Sequence, residues 1–237
     1  MIPKIIHQTC KTDEIPAHLQ GYQKTVRDLH PGWEYHLWTD VRNEAFVRAE
    51  YPDFLDIFLR LPQNIMRADV IRYLLMYKLG GLYMDLDYEM LKPFDLLDQN
   101  IVLPWEFTNL GPGKDIIANA VFAATPGHPF FKMVIDDLKA HPPLAADADV
   151  LYTTGPGFLS RIFWEAKESG MKLYTPEPMW FSPRPPHTDR RYRAILKQGV
   201  SYGIHHCVGS WRPTTMSIQL WNLGSRIKWK IMALLGK

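Results

Sequence analysis

Residues 64–87 read NIMRADVIRYLLMYKLGGLYMDLD, and no other stretch limits the fold as strongly. Ile65, Val70, Tyr73, Leu74 and Tyr77 recur at helical spacing, which predicts a helix from Asn64 onward. Gly80 and Gly81 follow where a helix stops. LYMDLD then reads as a short strand that ends in two acids. Helix, glycine turn and strand in this order predict α/β architecture, whose ligands gather beyond the C-terminal ends of strands. If the strand stays extended to its end, Asp85 and Asp87 leave one face together.

The flanking segments fit the same class. IPKII reads as a buried strand with His7, Gln8 and Thr9 at its polar end, and YHLWTD as another. A helix is expected within residues 15–29. A strand at 120–124 leads through TPGHP to a helix near 130–139, and Gly155 and Pro156 open one more helix. Five prolines in residues 174–187 predict a fixed, extended loop. YGIHHCVGSW reads as a last short strand, and no repeat or linker divides the chain. A hydrophobic fraction of 46% over 237 residues suffices for one large core.

Charge and cysteine content exclude several classes. A net charge of +2 is too mild to mark a nucleic-acid binder. Two cysteines, Cys10 and Cys207, form neither a disulfide framework nor a zinc pattern. No run approaches the ~18 apolar residues of a spanning helix, and the start shows no signal-peptide pattern. A cytoplasmic location is the expectation.

Two carboxylates beside a core strand need a partner, because burying them unpaired is costly. A hard divalent cation, Mg²⁺ or Mn²⁺, is one solution and completes its shell with water and substrate phosphate. Turn acids that cap a neighbouring helix are the other. Asp69 and Arg72 share a helix face three residues apart, as a functional pair or as a local surface pair. His205 and His206 close the last strand, and only one can face a given direction if that strand is regular. Each is either a metal ligand or an ordinary loop group.

IPKIIHQT, ADVIRYLLMYKLGGLYMDLD and HHCVGSW, in this order, resemble the glycosyltransferase family that includes yeast-type initiating mannosyltransferases and sphingolipid mannosyltransferases. Bacterial capsular polysaccharide transferases belong to the same group, and the catalytic domains of large clostridial toxins are distant relatives. The resemblance implies a single-domain GT-A fold, a Rossmann-like mixed sheet flanked by helices, over residues 1–215. It implies a metal-dependent, retaining enzyme that moves a hexose from a nucleotide sugar to a glycan or lipid-linked glycan. Asp87 matches the direct metal ligand, Asp85 its partner near ribose, sugar or metal-bound water, and His206 the C-terminal metal ligand. Asp69 and Arg72 match the helix that reaches donor sugar and diphosphate. Tyr83, Asn119 and Trp211 match positions near the sugar and diphosphate, and His7, Gln8 and Thr9 the nucleotide pocket. Cys10 stands where the family usually has tryptophan, which alters the shape of the nucleotide end.

A UDP-sugar is favoured over GDP-mannose as donor. The rival expectations are a non-catalytic nucleotide-sugar or glycan-binding protein of the same fold and a metal-dependent nucleotide-sugar hydrolase. Residues 212–237 carry five basic side chains and no acidic one. Residues 216–237 read as a basic, tryptophan-bearing amphipathic helix, either packed on the domain or lying on the inner face of a membrane.

Overall fold

A computed structural model of the chain describes residues 1–106, 116–181 and 196–208. Strand β1 (Ile5–Thr9) leads to helix α1 (Ala17–Asp28), strand β2 (Glu34–Trp38) and helix α2 (Asp40–Glu50). A short 3₁₀ turn precedes α3 (Leu55–Arg60) and the central α4 (Asn64–Lys78). Then come β3 (Gly81–Met84), β4 (Tyr88–Met90), β5 (Ile101–Val102), β6 (Trp105–Glu106), β7 (Ile116–Ile117) and β8 (Val121–Ala124). Helices α5 (Pro129–Ala140), α6 (Val150–Thr153), α7 (Pro156–Glu168) and α8 (Pro178–Phe181) precede β9 (Gly203–His205).

The main sheet has five strands in the order β2-β1-β3-β8-β5. β1 runs parallel to β2 and β3, while β8 is antiparallel to β3 and β5. Period-two alternation divides its side chains between two cores. Leu82, Met84, Val121 and Ala123 face a layer containing Val26 of α1 and Phe181 of α8. Tyr83, Phe122 and Ala124 face the opposite layer, built by α4, α5 and α7. Burial of this two-sided kind is what a GT-A type mixed sheet flanked by helices requires.

Helix α4 is buried on several sides: Met66, Val70, Ile71, Tyr73, Leu74, Leu75 and Met76 have no exposed surface, and Asp69 and Arg72 are buried with them. It stops as expected, with Gly80 at φ 64° and Gly81 at φ 98°. Both angles favour residues without a Cβ. A methyl group on Gly81 would also meet the Ile5 carbonyl at 2.5 Å. The double glycine therefore lets β3 enter the sheet directly beside β1.

Two expectations change. The strand ends at Met84, and residues 85–87 form a turn closed by Tyr88 N–H donating to the Asp85 carbonyl at 3.1 Å. The paired carboxylates therefore sit on a tight turn rather than an extended segment. Within the proline-rich stretch, Pro178–Phe181 forms a short helix, because proline fits a first helical turn as well as an extended loop. Trp211 and the 216–237 segment lie outside the described residues. Among those described, no helix is long and apolar enough to cross a membrane.

The glycines make a paired prediction. Gly81→Ala should lower unfolding stability by at least about 2 kcal/mol. Gly21→Ala, within α1 and with nothing within 4 Å of the added methyl, should raise it by roughly 0.5–1 kcal/mol. Urea unfolding of the two variants against the parent checks both signs.

Candidate functional site

Arg72 is 4% exposed, so its guanidinium must find its partners inside the protein. Nε donates to the Ala68 carbonyl at 3.0 Å and Nη1 to the Asn119 carbonyl at 2.6 Å. Nη1 also lies 3.2 Å from Asp85 Oδ1, and Nη2 lies 3.3 Å from Asp69 Oδ1. The guanidinium carbon sits 4.7 Å from the centre of the Tyr83 ring, a cation–π contact. Burial opposes the charge, but Asp85, Tyr83 and Asp69 outweigh it and hold the group above its ordinary pKa. The pair is thus a buried bridge between helix and sheet, not a surface pair.

Asp69 is engaged at both oxygens. Oδ1 accepts from Asn119 Nδ2 and Oδ2 from Thr154 Oγ1, each at 2.9 Å. Burial pushes its pKa up to about 6, with Arg72 the largest opposing influence. The Tyr73 hydroxyl lies between Asn119 Oδ1 at 2.7 Å and the Thr154 carbonyl at 2.6 Å. Asn119, expected beside the sugar, therefore has both ends of its amide tied into this scaffold. Thr154 was not anticipated, because only the fold brings the turn before α7 under α4.

The first strand supports the acids from the other side. The Trp38 indole donates to His7 Nδ1 at 2.9 Å, which leaves Nε2 to donate to the Gly80 carbonyl at 2.9 Å. Both ring nitrogens are occupied, and burial drives the His7 pKa down to about 3. Gln8 Nε2 donates to the Asp85 carbonyl at 3.1 Å, and Gln8 Oε1 accepts from the Tyr35 hydroxyl at 3.0 Å. Thr9 Oγ1 lies 3.0 Å from the Tyr83 hydroxyl, which donates to Asp85 Oδ1 at 2.7 Å. In this structure Gln8 and Thr9 hold the acidic turn in place, and His7 holds the double glycine at the entry to β3.

Beyond that turn, Asp85, Asp87 and His205 offer ligand atoms within 4.8 Å of one another. Asp87 Oδ2 accepts from the Val208 N–H at 2.7 Å, and Oδ1 faces His205 Nε2 at 3.4 Å. Burial pushes Asp85 up, with Arg72 opposing and Asp87 reinforcing. Burial also works against the Asp87 charge, but His205 and the Val208 N–H outweigh it and leave the carboxyl below its usual value. Two carboxylates and an imidazole are a donor set suited to Mg²⁺ or Mn²⁺.

The histidine differs from the expectation. His206 Nε2 lies 2.9 Å from Glu89 Oε2, and its ring stacks on Tyr22 at 4.2 Å between centroids. His205, not His206, meets the aspartates. The reason is register: β9 pairs with β4 so that His205 lies opposite Tyr88, and the next residue turns to the other face. Gly203 permits this pairing, since a methyl group there would meet the Tyr88 ring at 2.2 Å.

Comparison with known proteins bears on this geometry. Residues 16–103 match the family described as a glycosyltransferase sugar-binding region containing a DXD motif. Inositol phosphoceramide mannosyltransferase 3 of Schizosaccharomyces pombe is 44% identical over 70% of this chain and 45% of its own length. Inositol phosphoceramide mannosyltransferase 2 of the same yeast is 34% identical over 93% of this chain and 61% of its own. The chain is related to these yeast mannosyltransferases and, over residues 16–103, to the DXD-containing sugar-binding region of glycosyltransferases. It spans about half the length of the two yeast relatives. The solved structure titled PaToxG Glycosyltransferase shares the fold at TM-score 0.51 and 14% identity, covering 85% of this chain and 89% of that one.

Two measurements test the site. His205→Ala should weaken Mn²⁺ binding at least about tenfold, while His206→Ala leaves it within about twofold; calorimetric titration of each variant decides. His7 titrates near 6.5 in an unfolded chain but near 3 when folded, so its contribution is present above pH 6.5 and lost as pH falls. Between about pH 7.5 and about pH 5 this amounts to roughly 2 kcal/mol. Urea unfolding at the two pH values should show the parent losing roughly 2 kcal/mol relative to His7→Gln, the other titrating groups being common to both.

Proposed function

We propose that this chain is a metal-dependent retaining glycosyltransferase that moves mannose from a nucleotide sugar to a glycan or lipid-linked glycan. The observation that carries the reading is the convergence of Asp85, Asp87 and His205 at the C-terminal end of β3, a parallel neighbour of β1. Ligands of α/β sheets gather at such ends. The sequence motifs fit UDP-sugars and GDP-mannose alike, and the expectation of a UDP-sugar gives way here because the names of the two yeast relatives specify mannosyl transfer, which favours GDP-mannose. Those names also point to an inositol phosphoceramide headgroup as acceptor. A sphingolipid acceptor fits peripheral membrane contact through the basic 216–237 segment.

A divalent cation held by Asp85, Asp87 and His205 would supply positive charge where the departing diphosphate becomes negative. The protein's own groups prepare that place. Tyr83 and Arg72 fix Asp85 Oδ1, and the Val208 N–H fixes Asp87 Oδ2, so neither carboxylate must reorganise during reaction. Asp69 is 3% exposed with both oxygens bound, which disfavours it as a nucleophile on the sugar. Front-side displacement follows: the acceptor oxygen bonds to the anomeric carbon as the carbon–phosphate-oxygen bond breaks. The acceptor proton passes to the departing phosphate oxygen.

Calorimetry of GDP and UDP with and without Mn²⁺ should show metal-dependent binding of GDP. Asp87→Asn should lower mannose transfer to the lipid headgroup at least about a hundredfold. Donor hydrolysis that needs no acceptor would identify a hydrolase, and absence of binding by either nucleotide with metal would overturn the reading.

A further inference from the structure

His205 has two ring nitrogens, and each faces a different set of ligands. Nε2 faces Asp87 Oδ1 at 3.4 Å. Nδ1 faces Cys207 Sγ, also at 3.4 Å. On that second side, Glu106, His205 and Cys207 offer a carboxylate oxygen, a ring nitrogen and a sulfur within 4.8 Å of one another.

The backbone supports the convergence independently. Cys207 has φ 50°, the one positive value outside glycine among the described residues. Such a conformation is costly for a residue with a side chain and persists only where the surroundings impose it. The bend keeps the thiol beside its neighbour: Sγ lies 3.7 Å from the His205 carbonyl oxygen as well as near the ring.

The two ligand sets differ in chemistry. Asp85 and Asp87 give hard oxygen ligands, which suit Mg²⁺ and Mn²⁺. A thiolate with imidazole and one carboxylate suits Zn²⁺, which accepts three protein ligands and keeps a fourth position for water. We propose that Glu106, His205 and Cys207 form a second cation site, selective for a thiophilic divalent ion such as Zn²⁺. Neutral imidazole has one free lone pair. An ion on Nδ1 therefore leaves the proton on Nε2, where it donates to Asp87 and no longer serves the oxygen-rich site. The two sites compete for one histidine.

Cobalt(II) provides a test that needs no sugar donor, so its failure is distinct from failure of the transferase reading. Reduced protein titrated with Co²⁺ should develop a near-ultraviolet sulfur-to-cobalt charge-transfer band, bleached by one equivalent of Zn²⁺. The band should vanish in Cys207→Ser and persist in Cys10→Ser and in Asp87→Asn. Glu106→Gln should weaken Co²⁺ binding at least about tenfold. A parent protein without the band, a band that survives Cys207→Ser, or unchanged affinity in Glu106→Gln would overturn the three-ligand site.

Discussion

Arg72 carries a positive charge at a depth where an uncompensated ion costs several kcal/mol, and the site is arranged around meeting that demand. Its three nitrogens reach a helix carbonyl, the Asn119 carbonyl beside β8, and carboxylates on α4 and on the turn after β3. One side chain thereby ties the central helix to two strand ends. Asp85 is held by the same contacts, so the acidic turn inherits its position from the core rather than from its own loop. Tyr83 adds a second hold through its hydroxyl, while its ring lies against the guanidinium.

The charges divide into two groups with different environments. Asp69 and Arg72 are almost wholly enclosed; Asn119 and Thr154 complete their hydrogen bonds, and the Tyr73 hydroxyl ties those two together. Removing any one member leaves buried polar groups without partners, which is why such networks are stable only when complete. Asp85 and Asp87 stand one step further out, with side chains 25% and 15% exposed. Three carboxylates face Arg72 and His205 across this region, so the outer pair retains acceptor capacity that a divalent cation can use. The inner group provides rigidity and the outer group provides ligands.

Much of this was legible in the chain. The helix from Asn64, its arrest at the double glycine, the strand that follows and the acidic pair all rest on local signals of periodicity and backbone permissiveness. The family resemblance implied a place beside the sugar for Asn119, while in the fold its amide serves Asp69 and Tyr73. Spacing shows which residues come near one another; it does not show which hydrogen-bond partner a side chain chooses in a packed interior. The strand's end was misplaced by three residues for a related reason. Asp85-Leu86-Asp87 has no glycine or proline to mark a turn, and only its closure by Tyr88 reveals one.

By itself the sequence determined the α/β class, the central helix and the identity of the acids, because each depends on contacts within a few residues. Tertiary structure alone decided that Arg72 is buried between two aspartates, and that His205 rather than His206 meets Asp87. Both outcomes depend on long-range packing. The first needs α4 pressed beneath the ends of β3 and β8, and the second needs the register of β9 on β4. A shift of one residue exchanges the two faces of a strand, and no local property of two adjacent histidines distinguishes one register from the other.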